Sequence, residues 1–297
     1  MLPTLRQLRY LKLLADHRSF SRAAEAAHVT QPTLSAGIQE LEKILGPPLV
    51  DRNRSGVILT AAGEEVVARA GAILAQAEDL VREAQGAGEP LAGRFRLGVI
   101  PTIAPFLLPG ALPVLRQRYP KLRLYLREDL THRLLAEVRN GTLDAALIAL
   151  PYDTSGLAFA HVTDDELLAA LPSDHPLSRV RQVPSQSLER EEMILLEDGH
   201  CLREHALAAC NPGQGRRQHE EAFAATSLAT LVQMVGSGLG VSLLPAMAVA
   251  AGLAEAAQVA VRPLDAEHPH REVVIAWRAG STRAVEGALL AEPFRKA

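Results

Sequence analysis

The sequence predicts an α/β chain of three parts: a small helical module, one long helix and two α/β lobes. Three observations carry this. Leucines recur at helical spacing near the amino terminus, residues 61–85 hold an unbroken helical pattern without proline, and strand-like runs alternate with helical ones from residue 94 onward. At 297 residues, with 48% hydrophobic and 22% charged side chains, the chain has ordinary globular composition and length enough for about two domains. That excludes a disordered or collagen-like chain.

Leu5, Leu8, Leu11 and Leu14 give the first helix a leucine face. In SFSRAAEAAHVTQPTLSAGIQELEKIL, Ser21 is expected to cap a short helix whose Ala23, Ala24 and Ala27 admit a close neighbour. His28 and Val29 form a tight connection. Thr30 then caps the next helix, and Pro32 fits its first turn, where a missing N–H has no partner to lose. Leu34, Ile38, Leu41 and Leu45 turn one stripe inward, leaving Gln31, Thr33 and Ser35 at the leading end of the other side. This is the logic of a helix–turn–helix, with small polar residues free to meet base edges; an ordinary helical hairpin remains the plain alternative. DRNRSGVILT reads as a hairpin that presents Arg52 and Arg54 beside a Ser55-Gly56 turn, suiting a wing against phosphates. Residues 1–60 carry eight Lys/Arg against five Asp/Glu, whereas the whole chain has net charge -3. A basic head on an acidic chain fits a polyanion-binding module.

Val66, Ala70, Ile73, Ala77, Leu80 and Ala84 alternate spacings of four and three, with Val67, Leu74 and Val81 beside them. That seam predicts a free-standing dimerisation helix; packing onto its own domain is the alternative. Beyond the GAGEPLAG linker, RFRLGVI, KLRLYLRE and DAALIAL read as strands, with helices over LLPGALPVLRQRYP and LTHRLLAEVRNGTL. EMILLE, a cysteine-bearing helix, TSLATLVQMVGSG and LGVSLLP repeat the alternation. REVVIAWR closes it, before a terminal helix. Two such lobes place a ligand cleft between them.

Only Cys201 and Cys210 are cysteines, too few for a secretory disulfide framework. The first twenty residues interrupt their leucines with Arg6, Arg9 and Lys12, so no signal peptide is read there, and no stretch has the length of a membrane span. A reducing cytoplasm is the expected location. Scattered histidines and no glycine-rich phosphate loop leave no metal or cofactor to expect.

In their order, these features resemble the LysR-type transcriptional regulators, most specifically in SFSRAAEAAHVTQPTLSAGIQELE and LTAAGE. The resemblance implies a winged helix–turn–helix over 1–60 and a linker helix with its hinge over 61–90. It implies a regulatory domain over 91–297 of two Rossmann-like lobes, similar to type 2 periplasmic binding proteins. Lobe I would take about 91–165 and 268–297, and lobe II about 166–267. It also implies a DNA face of Ser21, Arg22, Thr30, Gln31, Pro32, Thr33, Ser35, Arg52 and Arg54, acting on promoter DNA as a dimer within a homotetramer, with RNA polymerase as a partner.

GVIPTIAPFLLP, THRLL, LEDGHCLREHALAAC, ATSLATL and SGLGVSLLPA are similar to the hydrogen-peroxide-sensing OxyR branch of that family. This implies that Cys201 is peroxidatic and Cys210, nine residues later, resolving, with a thiol reductant to reset them. It implies a peroxide pocket of Thr102, Thr131, His200 and Arg271. Read as residues alone, Thr131 also suits a helix cap, Arg271 a strand-edge surface charge, and both cysteines small buried hydrophobes. Cys201 is expected in the first turn of a helix, where the helix dipole and cations such as Arg203 or a protonated His200 favour a thiolate, while Glu197, Asp198 and Glu204 oppose it. If one helix runs from Cys201 to Cys210, its rise separates the two Cα atoms by roughly 13 Å, and a disulfide tolerates at most about 7 Å. Bond formation then requires the segment to refold. A regulator sensing a metabolite in the cleft is the alternative function. A thiol peroxidase would share the cysteine but has no need of residues 1–85, so an enzyme is not expected.

Overall fold

The computed structural model describes residues 1–53, 56–84, 89–210, 224–265 and 269–295. Helix α1 (Leu5–His17) starts at a capping box: Thr4 Oγ1 accepts from Gln7 N at 3.2 Å while Thr4 N donates to Gln7 Oε1 at 2.8 Å. Its Leu8, Leu11 and Leu14 are buried. Helix α2 (Phe20–Ala26) is capped by Ser19, not by Ser21 as expected. Ser19 has the extended backbone a cap needs, and Ser21 instead sits in the first turn, its hydroxyl donating to Gln31 Oε1 at 3.1 Å. Helix α3 (Gln31–Leu45) follows its Thr30 cap and keeps Pro32 in the first turn. Leu34, Ile38 and Leu41 are buried, and Leu45 is exposed. Strands β1 (Val50–Asn53) and β2 (Gly56–Leu59) form the expected antiparallel hairpin, with Arg52 opposite Val57. Arg54, Ser55 and the side chain of Arg52 lie outside the described residues.

Helix α4 (Ala61–Ala84) is the long linker, and it is not free-standing. Val66, Val67, Ala70 and Leu74 pack on the helix–turn–helix core. A second face, Gly71, Ala75 and Asp79, is pressed against lobe I. A Cβ on Gly71 would come within 2.7 Å of the Asn140 carbonyl oxygen, and one on Gly141 within 2.2 Å of Ala75 Cβ. Asp79 accepts from Arg278 and, at 2.8 Å, from Thr282 Oγ1. Lys12 Nζ adds a bond to Thr142 Oγ1 at 3.0 Å. The near end of the expected seam thus packs on the chain's own helix–turn–helix, Gly71 and Ala75 beside the seam make the close approach to lobe I, and Ile73, Leu80 and Val81 are exposed; Leu80 keeps 67% of its surface.

The regulatory half begins with β3 (Gly93–Val99), α5 (Ala104–Arg118), β4 (Leu122–Glu128), α6 (Thr131–Arg139) and β5 (Ala145–Leu150). Helix α5 continues through Pro109 and Pro113. Next comes β6 (Leu157–Leu171), fifteen residues long, which sequence reading missed because Thr163–Glu166 breaks its apolar pattern with acidic residues. After a short 3-10 turn (Pro176–Arg179) come α7 (Ser185–Leu188), β7 (Leu195–Leu196), α8 (Cys201–Cys210), β8 (Ala224–Ala225), α9 (Leu228–Gly236) and β9 (Ser242–Pro245). Then α10 (Ala246–Ala250), α11 (Leu253–Ala256), β10 (Ala260–Arg262), β11 (His270–Arg278) and α12 (Ala284–Arg295) complete the chain.

The main sheet runs β10-β6-β11-β5-β3-β4, with β9 also on β6. Strand β3 is parallel to β4 and β5, as the alternation predicts, but β11 is antiparallel to both β5 and β6. One apolar core gathers around Phe95, Leu97, Ile148, Val274 and Phe294, and another around Leu171, Leu195, Val232 and Leu244. Strand β6 belongs to both, through Val162 in the first and Leu167 to Leu171 in the second. It is the spine that joins the lobes.

Gly141 and Gly156 share a φ of +75°, but a Cβ on Gly156 meets nothing within 4 Å. Gly156→Ala therefore carries backbone strain alone, about 1 kcal/mol, and Gly141→Ala adds overpacking of about 1–3 kcal/mol against α4. Urea denaturation of the full chain measures the difference; equal losses would show that the α4–lobe I contact yields freely.

Candidate functional site

Gly199, at φ +96°, turns the chain from β7 into α8 and sets Cys201 as the first helical residue. Helix α8 straddles the lobes. Cys201 joins the lobe I core while Leu202 and Ala206 join that of lobe II. Cys201 is 5% exposed. Burial pushes the Cys201 thiol up; the charge of Arg271, the Thr131 side chain and the N–H groups of Cys201 and Leu202 pull it down without restoring it. The sequence leaves the balance of dipole, cations and carboxylates open, and in the fold burial outweighs them all. The expected cations also act elsewhere. Arg203 pairs with Asp198 at 3.1 Å and donates to the Leu196 carbonyl at 3.2 Å, and burial holds His200 below the usual histidine range. The cation that acts on Cys201 is Arg271.

Arg271, on β11, is 0% exposed. Its Nε donates to Asp165 Oδ2 on β6 at 2.9 Å, its Nη1 to Thr102 Oγ1 at 2.8 Å and its Nη2 to the Thr102 carbonyl at 2.9 Å. Asp165 Oδ1 accepts from Met247 N, at the start of α10, at 3.0 Å. Arg271 is therefore no strand-edge surface charge; it is the centre of a buried network that ties the turn after β3 to both lobes. Thr131 opens α6 but does not cap it: the cap is Leu130, without a side-chain bond. Thr131 is 1% exposed, and its side chain acts on the Cys201 thiol. Thr102, Thr131, Cys201 and Arg271 thus form one cluster. His200 stands at its margin, its ring governed by burial and Glu197.

Three residues of this cluster escaped sequence reading. Asp165 was hidden in the acidic run, and Met247 contributes through its backbone N–H and through its sulfur, which accepts from Arg271 Nη2 at 3.7 Å. His205 follows Cys201 by one helical turn, a spacing that could have flagged it. Burial and Arg271 push its pKa down to about 4, against a hydrogen bond with the Leu150 backbone and the charge of Glu204. Cys210 ends α8, with its side chain outside the described residues. One helix does run between the two cysteines, so roughly 13 Å separates their Cα atoms.

At the other end of the chain Ser21, Arg22, Thr30, Gln31, Pro32 and Thr33 are exposed around the start of α3, and Ser35 is half-buried. The Thr30 and Thr33 hydroxyls are 2.8 Å apart, and Arg22 Nη2 donates to the His17 carbonyl at 2.9 Å. These bonds hold the polar face in place. Among the described residues no helix is long and apolar enough to cross a membrane, and no group of three or more His, Cys, Asp or Glu is placed to hold a metal ion.

Residues 5–64 match the bacterial regulatory helix-turn-helix protein, lysR family, and residues 88–291 match the LysR substrate binding domain. The chain belongs to the LysR family. It is therefore a DNA-binding transcription regulator and not a member of an enzyme family. LysR relatives include the regulator EstR of Acinetobacter baylyi, 44% identical over 84% of this chain and 81% of that protein. The DNA-binding transcriptional dual regulator OxyR of Escherichia coli is 39% identical over 98% of this chain and 94% of its own. Among solved structures, a full-length OxyR of Pseudomonas aeruginosa, with aspartate in place of a cysteine, superposes with a TM-score of 0.81 at 38% identity. It covers 99% of this chain and 98% of the other. A peroxide-bound, serine-for-cysteine OxyR of Corynebacterium glutamicum gives 0.67 at 32% identity, covering 99% of this chain and 92% of the other. This is an OxyR-like LysR regulator.

Asp165→Ala strands the Arg271 charge at zero exposure, so a loss of about 3–5 kcal/mol is expected in urea denaturation. A loss below about 1 kcal/mol, the scale of a surface pair, would mean that the network does not hold the lobes.

Proposed function

We propose that this LysR regulator senses hydrogen peroxide through Cys201 and is switched by a reversible Cys201–Cys210 disulfide. The observation that carries the reading is the cluster itself: a thiol at a helix start, beside a buried cation and the buried Thr131 side chain. In the pocket Thr102, Thr131, His200 and Arg271 surround the peroxide. Threonine hydroxyls donate to it and accept from it, and the cation steadies the charge that develops on the departing oxygen. Cys201 attacks one peroxide oxygen, the O–O bond breaks, and water leaves with the thiol proton, giving a sulfenic acid. The Cys210 thiol then displaces the sulfenic oxygen as a second water, forming the S–S bond. Because α8 holds the pair too far apart, the second step needs the helix to unwind, which makes α8 a two-state element. A thiol reductant in a reducing cytoplasm restores both thiols.

The clamp between α4 and lobe I is the route by which such a change reaches the DNA modules. Two copies associate through the exposed Ile73, Leu80 and Val81 of α4 and pair further as a homotetramer. Residues 1–60, 61–90 and 91–297 act as DNA-binding, linker and regulatory units. Ser21, Arg22, Thr30, Gln31, Pro32, Thr33 and Ser35 meet promoter DNA in the major groove, and Arg52 and Arg54 meet it from the wing. Repositioned modules change contact with RNA polymerase.

The likeness to EstR, whose name says nothing of peroxide, keeps a second reading in view: a metabolite bound between the lobes. Thiol titration decides between them. Stoichiometric peroxide is expected to remove both free thiols and to alter promoter binding, and Cys201→Ser to lose that response with DNA affinity unchanged. Two thiols surviving peroxide favour the metabolite.

Arg52→Ala is expected to weaken promoter binding and to lower the slope of log affinity against log salt by about one. An unchanged slope removes Arg52 from the phosphate contacts.

A further inference from the structure

Gln31 is the first residue of α3, and Ser21 lies in the first turn of α2. The two helices meet closely: Ala23 and Ala24 are buried in one core with Leu34 and Ile38 of α3. A serine inside a helix often turns its hydroxyl to the carbonyl four residues back. For Ser21 that residue is His17, whose carbonyl already accepts from Arg22 Nη2 at 2.9 Å. The Ser21 hydroxyl donates instead to Gln31 Oε1, across the turn, at 3.1 Å. Beside it the Thr30 and Thr33 hydroxyls bond each other at 2.8 Å, and Thr30 Oγ1 also accepts from Thr33 N at 3.4 Å. Gln31 Oε1 is therefore held near the amino ends of α2 and α3, where the partial positive charge favours an acceptor over an N–H group.

A glutamine grips adenine with both ends of its amide, the nitrogen donating to N7 and the oxygen accepting from the N6 amino group. Holding the oxygen on α2 removes one half of that grip. What Gln31 then offers a groove is Nε2 with its two hydrogens. Two donors without an acceptor fit guanine, whose major-groove edge presents N7 and O6 and no donor. We propose that Ser21 is a positioning residue for base selection: by holding Gln31 Oε1 it directs Gln31 to a G·C pair, away from the adenine that an unrestrained glutamine would take. This rests on the major-groove placement of α3 proposed above.

The test is affinity selection of randomised DNA duplexes by the full chain, with the bound fraction sequenced. Gln31→Ala identifies the position that Gln31 reads, as the one whose base preference disappears. The parent chain is expected to select G·C there, with A·T disfavoured about 5- to 150-fold. Ser21→Ala is expected to move that position toward A·T, while the preferences elsewhere and the salt dependence of binding stay as they were. Ser21→Thr, which keeps the hydroxyl, should keep G·C. The proposal is overturned if the parent selects A·T at that position, if Ser21→Ala leaves its preference unchanged, or if Ser21→Ala weakens every position alike, as a merely structural role would. A Gln31→Ala chain that keeps every base preference sinks the groove placement of Gln31 itself, a result distinct from those three.

Discussion

A full positive charge sits at zero exposure in the middle of the regulatory domain, and its neighbours are arranged around the need to compensate it. Taking an ion out of water costs several kcal/mol, repaid only where a counter-charge and hydrogen bonds surround it. Arg271 obtains both from Asp165 and Thr102. Because Asp165 spends its second oxygen on the backbone of Met247, the compensation also fixes α10 of lobe II against the turn after β3 in lobe I. The same charge reaches Cys201 and His205. Removing water from the site raises the thiol and makes the remaining field stronger per unit charge. One ion pair thereby sets the joint between the lobes and the electrostatics of the sulfur.

Helix α8 imposes the opposite constraint. Its regular rise keeps the two cysteines apart, and its faces are committed differently: Cys201 to one lobe's core, Leu202 and Ala206 to the other's. A covalent bond between its ends cannot be accommodated by a side-chain adjustment. The proposed disulfide would require helical hydrogen bonds and apolar contacts with both cores to be given up together, as in an all-or-none change.

Much of this architecture was legible in the sequence because it is periodic. The leucine stripes of α1 and α3, the Thr30 cap with Pro32, the wing hairpin and the run of α4 all follow from local rules. What was not legible depends on partners distant in sequence. Strand β6 goes unread because Asp164, Asp165 and Glu166 interrupt it, and Asp165 makes sense only beside Arg271, 106 residues away. The alanines and Gly71 on α4 signal close approach, but the sequence does not say to what, and a self-association seam is the natural first reading. In the folded chain part of that seam meets the helix–turn–helix core, and Gly71 and Ala75 beside it meet lobe I. For Cys201, dipole and cations were visible in the sequence and depth of burial was not, so the sign of its shift came only with the fold.

The exposed apolar residues of α4 lie on a different side of the helix from Gly71, Ala75 and Asp79. A shaft keyed on one flank turns with whatever is keyed to it. Lobe I therefore has a purchase on α4 for torque as well as for sliding, and a few degrees of rotation at Asp79 would swing the tip of α3, far out on its radius, through a much larger arc.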